Sequence, residues 1–106
     1  MIASMEKILK PVLQVNTVIL TQRETEYLSL VAMGFKNKQI GLILSVCTST
    51  VKKTLENIFL KLHAIDRANA VAIAFIHNIL TPEKISLIRD KFFQQIDSLE
   101  NNLAIF

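Results

Sequence analysis

From Cys47 the chain reads CTSTVKKTLENIFLKL, with three hydroxyl residues (Thr48, Ser49, Thr50) followed closely by the adjacent lysines Lys52 and Lys53. Hydroxyls and ammonium groups on the opening turn of a helix are suited to anions, because the backbone N–H groups there lack helical partners and carry partial positive charge. At about 100° per residue, Val51, Leu55, Ile58, Phe59 and Leu62 form one apolar stripe. Ser49, Lys53, Glu56 and Asn57 lie opposite it, with Lys52 and Thr50 on the flanks. A helix so divided buries one side and presents amines, hydroxyls, an amide and a carboxylate on the other. This suits a helix that enters a groove of duplex DNA by its N-terminus. It also suits an ordinary surface helix kept soluble by lysine.

The composition limits the alternatives. With 106 residues, 51% of them hydrophobic, and only two Gly and two Pro, the chain has the makings of one compact domain. No apolar run approaches the roughly 18 residues that cross a bilayer, and a single cysteine suits a reducing compartment. The expectation is a cytoplasmic protein without a membrane partner. Net charge is +3, and it is concentrated: residues 36–67 hold six cations against Glu56 and Asp66, whereas the remainder holds six cations against seven anions. A positive block of this kind favours a polyanion partner. His63 and His77 are isolated and no Cys/His spacing suits a metal, so neither metal nor cofactor is expected. No nucleophile and base are paired for catalysis, and the chain is not expected to be an enzyme.

The elements that must position the opening cluster read as helices. Strand-like alternation appears only weakly, over residues 12–20. Thr21 with Glu24 three residues on makes a capping box for a first helix that should stop at Gly34. A short second helix, capped by Asn37, buries Ile40, Ile43 and Leu44. The third runs over 48–62. The fourth begins near Asp66 and is apolar almost all round, which predicts a largely buried helix. Thr81 and Pro82 start a last helix, expected to continue to about Asn101. Along it Ile85, Ile88, Phe92, Ile96, Leu99 and Leu103 recur every three or four residues, a near-heptad seam.

Residues 20–74 resemble the DNA-binding domain of LuxR-type regulators, a four-helix helix-turn-helix module also found in response regulators. The positions that carry the resemblance are Leu20-Thr21, Arg23-Glu24, Gly34, Asn37-Lys38, Ile40, Thr50-Val51-Lys52, Lys61-Leu62, Arg67 and Ala70-Val71. The resemblance implies an all-α fold in which residues 20–80 form the module and 81–106 an additional C-terminal helix, with an N-terminal extension over 1–19. No receiver or ligand-binding domain is expected in that extension. The resemblance further implies a transcription regulator whose helix 48–62 enters the major groove of double-stranded DNA. Lys52 and Lys53 then stand at base- or phosphate-contacting positions, Thr50 and Lys38 at phosphate-contacting ones, with Asn37 close by. Thr48, Ser49, Glu56 and Asn57 complete the candidate surface. Arg23 and Glu24 are structural by the same reasoning; Arg67 is expected to be structural too, the alternative being a contact to a phosphate.

The departures from the family pattern are Thr54 for a usual His, Cys47 for a usual hydroxyl cap, Glu56 where several relatives use a cation or a neutral group, Leu60 for a commonly basic residue, and Lys36 for a small hydroxyl residue. The resemblance places a dimer contact on the fourth helix, around Val71 and Phe75. Because the module is complete without the C-terminal helix, Ile85, Ile88, Phe92, Ile96 and Leu99 are expected to meet a second chain, the alternative being that they cover the module's own core. Expected partners are DNA and a second copy, with another regulator or RNA polymerase beyond them. The rival function is a protein-interaction module of the same fold without specific DNA binding.

Overall fold

The computed structural model describes the backbone of residues 20–105 and the side chains of residues 20–101. The expected extension over 1–19 and the seam position Leu103 lie outside these described residues. Six helices follow in order: α1 Gln22–Ala32, α2 Asn37–Leu44, α3 Thr48–Leu62, α4 Arg67–Ile76, α5 Pro82–Lys91 and α6 Phe93–Ile105. Among the described residues all regular structure is α-helical, as the periodicity predicts.

Most of the starts are legible in the sequence. Thr21 Oγ1 accepts from the Glu24 N–H at 3.0 Å while Glu24 Oε1 accepts from the Thr21 N–H at 2.9 Å, closing the capping box. Asp66 Oδ1 accepts from the Asn69 N–H at 2.8 Å, and Thr81 Oγ1 from the Lys84 N–H at 3.2 Å. The expected cap at Asn37 is displaced by one residue. Lys36 is the N-cap of α2, its N–H satisfied by Gln39 Oε1 at 2.8 Å, and Asn37 is the first helical residue. The displacement follows from the Asn37 side chain being engaged by a distant arginine, described below.

The ends of α1 to α4 share one device. Gly34, Ser45, His63 and Asn78 all take positive φ, at 94°, 59°, 55° and 57°. The next N–H then reaches back five residues to a carbonyl of the helix's last turns: Phe35 to Leu30, Val46 to Gly41, Ala64 to Phe59 and Ile79 to Ala74, at 2.8 to 3.2 Å. Gly34 adopts this conformation freely. At the other three positions a side chain must tolerate it at a cost of about 1–3 kcal/mol each, so packing has to over-determine these turns.

That packing centres on α3. Val51, Leu55, Ile58 and Leu62 are sealed from solvent against Leu28, Leu30, Ile40, Ile43 and Ala70 of the surrounding core, and Phe59 is half-buried beside them. α4 does not match its expected burial. Ala70 and Ala74 face inward, whereas Ala68, Ala72, Phe75 and Ile76 are exposed, so the helix is buried along one side only. Uniform apolarity does not distinguish a helix surrounded by protein from one laid on a surface.

The C-terminal region also differs from expectation. The helix starting at Pro82 breaks at Phe92 (φ −106°, ψ 23°), with neither Gly nor Pro to mark the break. α5 packs on α1, and α6 turns back to pack on α2. Ile88, Phe92 and Ile96 are consequently only 4%, 8% and 2% exposed, and Ile85 and Leu99 pack against the same core. The seam expected to meet a second chain therefore covers this chain's own core. Across the break α5 covers α1 and α6 covers α2, so the seam residues enter the core from two helix segments.

Gly41 lies where α2 meets the turn into α3. A Cβ there would sit 2.6 Å from the carbonyl oxygen of Val46, a backbone atom that cannot move aside independently. Gly41→Ala should gain up to about 1 kcal/mol of helix propensity yet lose more through overpacking, of order 1–3 kcal/mol. Net destabilisation is the expected result of urea unfolding, and a stabilised variant would contradict the close approach.

Candidate nucleic-acid interface

The hydrophilic face of α3 is assembled by burying its other side. With Val51, Leu55, Ile58 and Leu62 turned inward, Lys52, Lys53, Glu56 and Asn57 project outward and are exposed, as are Thr48, Ser49 and Thr50 on the first turn. Lys38 is exposed on the first turn of α2. Among the described residues Lys36, Lys38, Lys52 and Lys53 have no carboxylate within ion-pair distance, so their charge is free to act outward. Glu56 is likewise unpaired, although its spacing permits a pair with Lys52 or Lys53.

Two candidate groups are used differently from expectation. Asn37 is only half-exposed, and its Oδ1 accepts from Arg67 Nη1 at 2.7 Å, leaving its Nδ2 as the group free to donate. The N-cap of α3 is Cys47, in place of the usual hydroxyl, and it makes no side-chain capping bond. Instead Cys47 Sγ lies 3.2 Å from Ser49 Oγ and 3.0 Å from Thr50 Oγ1. Hydrogen bonds from Ser49 and then Thr50 bring the thiol down to about 7. Cys47 is fully exposed, so alkylation by iodoacetamide should reach half its limiting rate near pH 7 rather than near the ordinary value of roughly 8.5. A midpoint at the ordinary value would show that these hydroxyls do not serve the thiolate.

Several ties hold α3 in place that sequence reasoning did not find. Lys61 Nζ donates to both oxygens of Glu24 at 2.9 Å, joining the end of α3 to the start of α1. Burial opposes ionisation of Glu24, but the Lys61 and Thr21 hydrogen bonds outweigh it and hold the carboxyl below its usual value. Arg23 Nη1 donates to Glu26 Oε1 at 3.2 Å and Nη2 to the Leu44 carbonyl oxygen at 3.0 Å. Lys91 donates to the other oxygen of Glu26. Arg67 Nη2 donates to the Phe35 carbonyl oxygen at 2.6 Å, which with its Asn37 bond gives it the structural role expected of it. Only the isolated Gly41 inside a helical pattern carried a sequence signal of close packing; the ion pairs join residues far apart in the chain and carried none.

The family pattern described as "Bacterial regulatory proteins, luxR family" matches residues 18–74. The chain belongs to this family. The luxR-family match spans α1 to α3 and most of α4, and α5 and α6 lie beyond it. The response regulator protein VraR of Staphylococcus aureus is 42% identical over 62 residues, and VraR of Staphylococcus saprophyticus and of Staphylococcus epidermidis match to the same extent. The matched stretch is 58% of this chain and 30% of those relatives, so the chain corresponds to a minor part of their length. No solved structure matches. Among the described residues no helix is long and apolar enough to cross a membrane.

Proposed function

We propose that this luxR-family chain is a DNA-binding transcription regulator that inserts α3 into the major groove of duplex DNA. The observation that carries the proposal is the outer face of α3, where Lys52 and Lys53 are exposed and, among the described residues, unpaired beside Asn57, while Lys61 at the end of the helix is held by Glu24. Lys52 and Lys53 contact bases or phosphates, and Lys38 with the hydroxyls of Thr48, Ser49 and Thr50 contacts the phosphate backbone. Asn37 contributes through its free amide nitrogen. Two copies associate through the exposed side of α4, where Val71 and Phe75 adjoin Ile76, which is 70% exposed. The test is selection from a random duplex pool. Enrichment of a two-fold symmetric motif, with half-sites about 10 bp apart or a multiple of it, is the expected result; an unenriched pool would refute specific binding.

Glu56 discriminates a base reader from a general polyanion binder. A carboxylate on this face can accept from a cytosine amino group and also repels phosphates. Glu56→Gln should raise affinity for scrambled duplex while lowering the preference for the selected site at one base pair, by about 1–3 kcal/mol. Titration of both forms on both duplexes measures this, and an unchanged ratio removes Glu56 from the readout. A second reading draws on Leu60 near the end of α3 and Ile65 in the turn that follows it, 74% and 88% exposed. They offer an apolar contact to another regulator or to RNA polymerase, and this contact would be the main one if selection yields no motif.

A further inference from the structure

Glu26 is a carboxylate almost sealed from water, 2% exposed, with its two oxygens held by cations from different parts of the chain. Oε1 accepts from Arg23 Nη1, one turn earlier on α1, at 3.2 Å. Oε2 accepts from Nζ of Lys91, the last residue of α5. With Lys91 on Oε2, Arg23 reaches the carboxylate through Nη1 alone, and its Nη2 donates to the Leu44 carbonyl oxygen, 3.0 Å away. Leu44 is the last residue of α2, where a helix leaves its carbonyls unpaired. The next residue, Ser45, makes the left-handed turn that leads to α3. A continuous line of contacts thus runs from the C-terminal helix pair to the turn of the helix-turn-helix.

The geometry points to Lys91 as a positioning residue of the DNA-binding unit: by occupying one oxygen of Glu26 it keeps Arg23 divided between Glu26 and Leu44, and so fixes how α2 delivers α3. The assignment rests on the DNA-binding reading of α3. Its mechanism lies in the preference of a guanidinium for a two-armed grip on a carboxylate. If the Lys91 charge is removed, Oε2 becomes available, Arg23 closes on Glu26 with both arms, and the Leu44 carbonyl loses its donor.

The test uses the full chain with Lys91→Gln, Lys91→Arg as the charge-preserving variant, and Arg89→Gln as a control for loss of an α5 cation outside the line. The carbonyl-carbon NMR shift of Leu44 reads the relay directly, and titration on a selected and a scrambled duplex reads its consequence. Lys91→Gln should move the Leu44 resonance and lower the preference for the selected duplex roughly threefold to thirtyfold, with an unchanged salt slope. Lys91→Arg and Arg89→Gln should resemble the parent. The double variant Glu26→Gln, Lys91→Gln removes the charge to which Arg23 would turn, so it should return both readings toward the parent; it also serves if Lys91→Gln alone melts below the assay temperature. An unmoved Leu44 resonance overturns the inference, and so does a salt slope reduced by about one, which would mean that Lys91 touches a phosphate itself. A parent with no duplex preference overturns the DNA reading and this role with it. A parent that has the preference and a Lys91→Gln form that keeps it overturns only this role.

Discussion

A chain ended at Leu80 should unfold at a much lower urea concentration than the full chain. Such a truncation removes Ile88, Phe92 and Ile96, all buried in the core shared with α1 and α2. Burying a side chain of this size contributes about 1.5–3 kcal/mol, and the surface these residues cover on α1 and α2 is exposed as well. The truncation also takes away Lys91, one of the two cations that pair with the buried Glu26 carboxylate. A loss of several kcal/mol is a large part of the roughly 5–15 kcal/mol that holds a small domain together. The measurement is the urea midpoint of both chains at several protein concentrations. If α5 and α6 served only as a seam between two chains, the midpoint of the full chain would rise with its concentration, and the truncated form would match the full chain at high dilution. Equal midpoints for the two chains would refute the intramolecular role.

Simultaneous replacement of Lys52 and Lys53 by Ala should abolish most duplex binding while leaving the fold intact. Both side chains are exposed and neither has an ion-pair partner among the described residues, so their removal leaves no described buried group unsatisfied. A lysine on a base edge contributes about 1–3 kcal/mol, and each one on a phosphate steepens the salt dependence by about one unit of slope. The double variant should therefore bind more weakly by at least an order of magnitude and with a shallower salt slope, since fewer counterions are released. Titrations at several salt concentrations, with a melting curve as control, measure both effects. A double variant that binds as tightly as the parent would remove α3 from the interface.

Much of this protein could be read from the sequence because the relevant signals are local. Val51, Leu55, Ile58 and Leu62 recur at helical spacing, and that spacing by itself determines which side of α3 is buried and that Lys52, Lys53, Glu56 and Asn57 face outward. Thr21, Asp66 and Thr81 cap their helices through residues three positions away, within the range of a local pattern. Tertiary structure decided the rest, and each such decision involves groups far apart in the chain. Asn37 was displaced as a cap because Arg67, thirty residues on, holds its side chain. The apolar residues of α4 divided into buried and exposed sets according to which side packs on α1 and α3. The near-heptad pattern after Pro82 required only that Ile88, Phe92 and Ile96 be covered, and a second chain or the chain's own core would satisfy it equally. The break at Phe92 decided for the core, bringing Lys91 onto Glu26 across 65 residues of sequence. Periodicity states that a face must be buried; which surface buries it depends on the three-dimensional path of the chain, because apolar contact is non-directional and any complementary surface within reach can supply it.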